Sequence, residues 1–299
     1  MKNKLLFIPL IAIPVIMIIF GSFFDLGINI ALYDRNNIFG LTMAAIGEAP
    51  GYMAIAFFGG GMFFLGFKKY NLLWQKLMLT GLGIAAFLIA LYFQSNHVIN
   101  DNAFNVEHEW WAYLVAIPVG LIICGLGFFL GFYLSMTSDN DNLLKLFITI
   151  GIIALASVII TTLIKNIMDR TRFRYLADYA SIGDYRPWWE KGILFNPDLE
   201  EEFKSFPSGH ATAAAIGIAV LAYIPMFKSK WFNNKKLTYI LLGVGVIWTL
   251  LLSFSRMLVG AHFLSDVGFG YLITMLVFFI TDLIMYPKKN LEKNDEKEN

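Results

Sequence analysis

The chain has 299 residues, of which 58% are apolar and 15% charged, with a mean hydropathy of +0.63. So little charge cannot cover a soluble protein of this length, and 28 Phe, 13 Tyr and 7 Trp exclude a disordered one. Lys+Arg of 23 against Asp+Glu of 22 leaves a net charge of +1, which excludes a strongly basic nucleic-acid binder.

The remaining class is an integral membrane protein, an all-α polytopic bundle. A helix crosses the hydrocarbon with about 20 apolar residues, and eight runs qualify, at roughly 5–24, 50–67, 77–93, 111–135, 143–164, 211–227, 237–254 and 266–286. The first follows Lys2 and Lys4. No small-x-small cleavage site precedes Asp25, so it reads as a retained anchor and not a signal peptide. Gly59, Gly60, Gly61, Gly81 and Gly83 in the second and third runs, and Gly127 with Gly131 in the fourth, predict close helix packing. Cys124 lies in an apolar run with no partner cysteine, which leaves neither a disulfide nor a Cys-based metal site.

Basic residues favour the cytoplasmic side of short loops. With the N-terminus inside, the inner segments collect Lys2, Lys4, Lys68, Lys69, Lys76, Lys228, Lys230, Lys235, Lys236, Lys288, Lys289, Lys293 and Lys297. The acidic inner loop 136–142 runs against this bias. The outer loop 25–49 holds only Arg35, and 94–110 has no Lys or Arg but contains Asp101, Glu107 and Glu109. The other outer segments break the pattern with Lys165, Arg170, Arg172, Arg174, Arg186, Lys191, Lys204 and Arg256. Anion binding and a headgroup-facing surface both account for such a cluster.

Three segments at outer helix ends carry the chemistry. In the first, Lys165 and Arg172 are seven apart, so two turns of helix would put both cations on one face, a compact charge beside a planar fork suited to phosphate. Snorkelling at the interface is the bland reading. In the second, Pro207 would occupy the first helical position, Ser208 and Gly209 would offer backbone N–H groups to an anion, and His210 would stand at the rim as a proton donor. In the third, His262 and Asp266 are four apart, one above the other if helical. The carboxylate would then hold one ring nitrogen and leave the other nucleophilic. Arg256 adds a cation, and Gly260 permits a bend. Trp110, Trp111, Trp188 and Trp189 read as an interface belt, with a lid over 175–204 as the other reading, in which Tyr175, Tyr179 and Tyr185 join the Trp pair. Glu200, Glu201 and Glu202 read as a solvated face.

The ordered set Lys-x6-Arg, Pro-Ser-Gly-His and Ser-Arg-x5-His-x3-Asp resembles the signature of the type-2 phosphatidic acid phosphatase family, over about 143–286. One departure is Phe173, where the family usually has Pro. The resemblance implies a six-helix core with an extra pair among the first four spans. It also implies one membrane domain over 1–299, a catalytic core at 143–286 and a cytoplasmic tail at 287–299. On the same ground His262 would attack phosphorus, His210 would protonate the leaving oxygen, and Asp266 would orient His262. Lys165, Arg172, Ser208, Gly209 and Arg256 would hold the phosphate. No metal or other cofactor is implied. The expected partners are a lipid phosphate and the bilayer, with the active site on the extracytoplasmic face of a bacterial cytoplasmic membrane and no oligomeric state specified. Attack by His262 would form a phosphohistidine, and a phosphotransferase using the same intermediate is the alternative. A transporter is disfavoured, because ionisable residues in the spans are confined to Lys145 and Asp282, near the inner ends.

Overall fold

The computed structural model describes residues 7–100, 110–193, 197–232 and 234–287. Lys2, Lys4, Asp101, Glu107, Glu109 and the lysines of the 288–299 tail lie outside the described residues. The helices are α1 (Phe7–Leu32), α2 (Ile38–Ile46), α3 (Ala49–Phe64), α4 (Leu73–Asn100), α5 (Trp110–Met136), α6 (Leu143–Met168), α7 (Phe173–Asp178), α8 (Gly209–Tyr223), α9 (Ser229–Phe232), α10 (Lys235–Leu258) and α11 (Leu264–Met285). Eight helical stretches are long and apolar enough to cross a membrane, and among the described residues there is no strand. The protein is a polytopic helical bundle.

α8 stands at the centre, against α3, α6, α10 and α11. Its buried Ala211, Ala214, Ala215, Ala219 and Ala222 keep it slim, so four neighbours can approach at once. α3, α4 and α5 form a second packed group in which Gly59, Gly60, Gly83, Gly127 and Gly131 are small contact points, whereas Gly81, expected to be one, faces open space. A methyl group at Gly60 would overlap the Phe128 carbonyl, and one at Gly131 would overlap that of Phe57.

Two boundaries differ from the sequence expectation for physical reasons. α1 runs on past residue 24 to Leu32, because Asp25 and Asn29 do not meet water but are buried, Asp25 against Arg170 between α6 and α7 and Asn29 against His262 between α10 and α11. The stretch 25–49, expected as a loop, is helical over 38–46, where the Asn37 side chain accepts from the Gly40 N–H. The acidic 136–142 loop also has a structural use. Asp139 caps the chain at Ser229 through its N–H and Oγ, at 2.9 and 2.8 Å.

Candidate active site

The site forms where the N-terminus of α8 meets the α10–α11 connection. Gly260 has φ +64° and turns the chain there, since a side chain would strike Tyr33 and the Arg174 amide. The loop is then pinned from three sides. Arg174 N–H donates to the Gly260 carbonyl at 3.0 Å, Asn29 Nδ2 of α1 to the His262 carbonyl at 3.2 Å, and Ala261 N–H to the Arg256 carbonyl at 2.9 Å.

His262 is fully buried and faces His210, with its Nε2 3.2 Å from His210 Nδ1. His262 Nδ1 lies 2.7 Å from the Ser205 carbonyl, an acceptor only, so this nitrogen carries the proton and Nε2 presents its lone pair to His210. Burial, reinforced by the neighbouring His210, Lys165 and Arg172, holds the His262 ring well below the usual histidine range. Neutral His262 is the nucleophilic form.

The sequence placed His262 and Asp266 on one helix face, but α11 begins only at Leu264, so that stacking is absent. Asp266 Oδ2 stands 4.0 Å from His262 Nδ1. Its carboxylate instead accepts from Phe263 N–H at 2.8 Å, Ser205 Oγ at 2.5 Å and Arg170 Nη1 at 2.5 Å. Asp266 therefore reaches His262 through Ser205, whose hydroxyl it holds and whose carbonyl takes the ring proton.

Lys165 and Arg172 do not share a helix face either. α6 ends at Met168, Asp169 turns left-handed at φ 47°, and Arg172 N–H bonds the Glu202 carbonyl at 2.7 Å. Both cations still lie near enough to act on His262. A methyl built on Gly209 would stand 3.6 Å from the Lys165 ammonium, which places that charge over the start of α8. Arg256 is buried, with Nη2 donating to the Gly40 carbonyl of α2 and Nε to Ser255 Oγ at 3.3 Å.

At the start of α8, Pro207 precedes the cap and is not the first helical residue, because the Ser208 hydroxyl is the cap, accepting from Ala211 N–H at 3.3 Å. The Ser208 N–H is not open to an anion, since it donates to the Asp266 carbonyl at 3.0 Å and ties α8 to α11. Gly209 opens the helix, and among the described residues nothing accepts from its N–H.

Residues beyond the motifs complete the surroundings. Arg170 is fully buried, and besides Asp266 it donates to Asp25 Oδ2 at 3.0 Å, Ser265 Oγ at 2.9 Å, Tyr185 OH at 3.2 Å and the Arg186 carbonyl at 3.1 Å. Asp25 also accepts from the Ser265 N–H at 2.9 Å. The i, i+4, i+8 run of Gly21, Asp25 and Asn29 along one face of α1 was the available signal. Glu48, between α2 and α3, lies 3.6 Å from His210 Nδ1 and 3.8 Å from His97 Nδ1, and Tyr52 OH donates to it at 2.8 Å. No motif marks Glu48 or His97. With His210 they offer ligand atoms within 4.8 Å of one another, compact enough for a metal ion, although the Lys165 charge beside His210 opposes a cation there.

Most of the outer basic cluster is spent on carboxylates: Arg174 on Glu202 at 2.5 Å, Lys204 on Glu200 and Glu201 at 2.9 Å, Lys191 on Asp169 at 3.4 Å and Arg186 on Glu190 at 3.4 Å. Glu202 is thus a clamp on Arg174 and not part of a solvated face. Arg172 comes within 4.0 Å of Glu201, and among the described residues no carboxylate is paired with Lys165. In 175–204, Trp188 is fastened to Ser22 at 2.9 Å and packs on Phe269 and Phe206, while Trp189 and Trp110 are exposed. Phe173 opens α7 and packs edge-on against Tyr33 and Phe263.

A buried histidine pair at the foot of an apolar helix, with a lysine and an arginine near it, sets a neutral nucleophilic nitrogen beside cations suited to an anion. Residues 145–289 match the PAP2 superfamily, and the chain carries a domain of that family there. Over 90 residues the chain is 39% identical to phosphatidylglycerophosphatase B of Bacillus subtilis (strain 168), a match covering 29% of this chain and 41% of that protein. The chain thus spans about two-fifths of the length of the curated relative it matches. No solved structure matches it.

Proposed function

We propose that the protein is a membrane-embedded lipid phosphatase working through a phosphohistidine. The observation that carries this reading is the 3.2 Å approach of His262 Nε2 and His210 Nδ1, with His262 Nδ1 tied to the Ser205 carbonyl. His262 Nε2 attacks phosphorus, the bond from phosphorus to the lipid oxygen breaks, and His210 gives that oxygen its proton. Water then attacks the phosphohistidine, His210 takes the water proton, and inorganic phosphate leaves. Lys165, Arg172 and the Gly209 N–H hold the charged oxygens, and Arg256 joins them from the motif it shares with His262. Donors already in place where charge develops supply much of the rate. Ser208 contributes through its cap and not its amide. Asp266 steadies His262 by way of Ser205.

The substrate class is a lipid monophosphate or pyrophosphate. Undecaprenyl diphosphate, phosphatidylglycerol phosphate, phosphatidate and diacylglycerol pyrophosphate are the panel, and the name of the Bacillus relative puts phosphatidylglycerol phosphate first. The Lys-rich ends support a cytoplasmic N-terminus and an active site on the outer face.

Phosphate release from this panel, in detergent with EDTA, tests the proposal. Release from at least one lipid is expected, with inhibition by vanadate, which copies the five-coordinate phosphoryl group. His262→Ala should lower the rate by at least about a thousandfold. Silence across the whole panel, or full activity in His262→Ala, rejects it.

A further inference from the structure

Glu48 lies outside the three motifs, on the junction between α2 and α3, yet its carboxylate reaches the acid histidine. It is only 8% exposed, and a buried carboxylate without a use is costly. Oε1 stands 3.6 Å from His210 Nδ1, while Tyr52 OH, one helical turn along α3, donates to Oε2 at 2.8 Å and fixes the group. His97 of α4 brings Nδ1 to 3.8 Å from the same Oε2, and its ring stands edge-on to that of His210 with centroids 5.2 Å apart.

The charge balance around His210 gives this carboxylate its use. The other groups beside that ring are His262 from the α10–α11 loop and His97 from α4, while Lys165 stands over Gly209, the residue before His210, and acts with Arg172 on His262. His262 is neutral in its nucleophilic form, and Lys165 and Arg172 are cations. Each of these cations disfavours a further positive charge on His210, while a donor to the leaving oxygen must carry one. Asp266 is occupied by Arg170, Ser205 and Phe263. Among the described residues, Glu48 brings a carboxylate within ion-pair distance of His210.

We infer that Glu48 is a positioning residue that holds His210 in its protonated, proton-donating form and sets its ring against His262 and the leaving oxygen. It neither touches the phosphate nor gains the proton. The arrangement joins two histidines to two carboxylates by different routes: Asp266 through Ser205 for the nucleophile, and Glu48 directly for the acid. The inference rests on the phosphatase reading for its kinetic consequence, but the Glu48–His210 coupling stands on geometry alone.

The test compares Glu48→Gln and Glu48→Asp with the wild type in detergent. For Glu48→Gln, the alkaline limb of kcat/KM should move down by about one pH unit or more, with activity above it falling about tenfold while activity below it is kept. Glu48→Asp retains the charge and should keep most of the limb's position. A uniform loss at all pH values, or an unmoved limb in folded, active Glu48→Gln, overturns the inference. The second readout needs no substrate. The chain has four histidines, so imidazole NMR resonances are assignable by substitution, and His210 should titrate at lower pH in Glu48→Gln than in wild type. If neither protein releases phosphate but that titration moves, the coupling survives and the phosphatase reading fails. If Glu48→Gln does not fold, the wild type decides: a His210 titration above the ordinary histidine value of about 6.5 supports the coupling, and one at or below it overturns it.

Discussion

His262 is useful because its surroundings keep it neutral. Its Nδ1 proton is committed to the Ser205 carbonyl, and burial among Lys165, Arg172 and His210 opposes a second proton. A histidine in water protonates near pH 6.5, so the neutral form of His262 survives to lower pH than that. The acid limb of kcat/KM assigned to His262 should therefore lie below about pH 6.5, with activity lost only as the pH falls through the lower value. A pH–rate profile with the limb at or above the ordinary value would contradict this. Gly260 is the other decisive single residue. At φ +64°, with Tyr33 and the Arg174 amide against it, it has no room for a side chain. Gly260→Ala should destabilise the protein by about 1–3 kcal/mol and displace His262, so that phosphate release falls by more than the loss of folded protein explains. Of the site, the two histidines, Asp266 and the cations were legible as residue types in order. The linkage of Asp266 to His262 was not, because a spacing of four means stacking only where the backbone is helical, and here the helix starts two residues after His262.

At the scale of elements, α1 is more than an anchor. It sends Asp25 to Arg170 and the Ser265 amide, and Asn29 to the His262 carbonyl, so it braces both sides of the loop that carries His262. Asp25→Ala leaves Arg170 paired with Asp266 but removes the acceptor of the buried Ser265 N–H, and should cost about 1–3 kcal/mol, read as a fall in unfolding temperature in detergent. This role was hidden because Asp25 looks like the residue that ends an apolar run. Only the arrival of Arg170 makes it an interior residue. The glycines of α3 and α5 were read correctly as contact points. Gly60→Ala, which would overlap the Phe128 carbonyl, should cost about 1–3 kcal/mol, whereas Gly81→Ala, with open space around it, should be close to neutral.

Across the whole molecule the polar ends are sorted. One end gathers Lys69 on the Asp141 carbonyl, the 138–140 loop on Met226 and Phe227, and Asp139 on Ser229, close to Lys228 and Lys230. The other gathers Asp34 on Leu258, Arg35 and Tyr33 on Asp178, and the histidine pair. If the lysine end faces the cytoplasm, a cysteine at Ser181 should react with a membrane-impermeant maleimide in intact cells, and one at Lys236 should react only after lysis. Buried Cys124 should stay unreacted in both. The reverse pattern would place the site inside.

By itself, the sequence determined the class of protein, the eight helices apolar enough to span a membrane, the likeness of its second half to the PAP2 superfamily and the residue types of the three motifs. These depend on local quantities: apolar length, helix-end chemistry and the order of short motifs. Tertiary structure decided which of the eight outer basic residues stay near the histidines and which are neutralised by Asp and Glu. It also decided that Asp266 acts through Ser205, that the Ser208 amide ties two helices together, and that Asp25 and Glu48 stand close to the site. Each of these joins residues far apart in the chain, and ion pairs and hydrogen bonds across helices are set by where helices meet, which no spacing along one helix encodes.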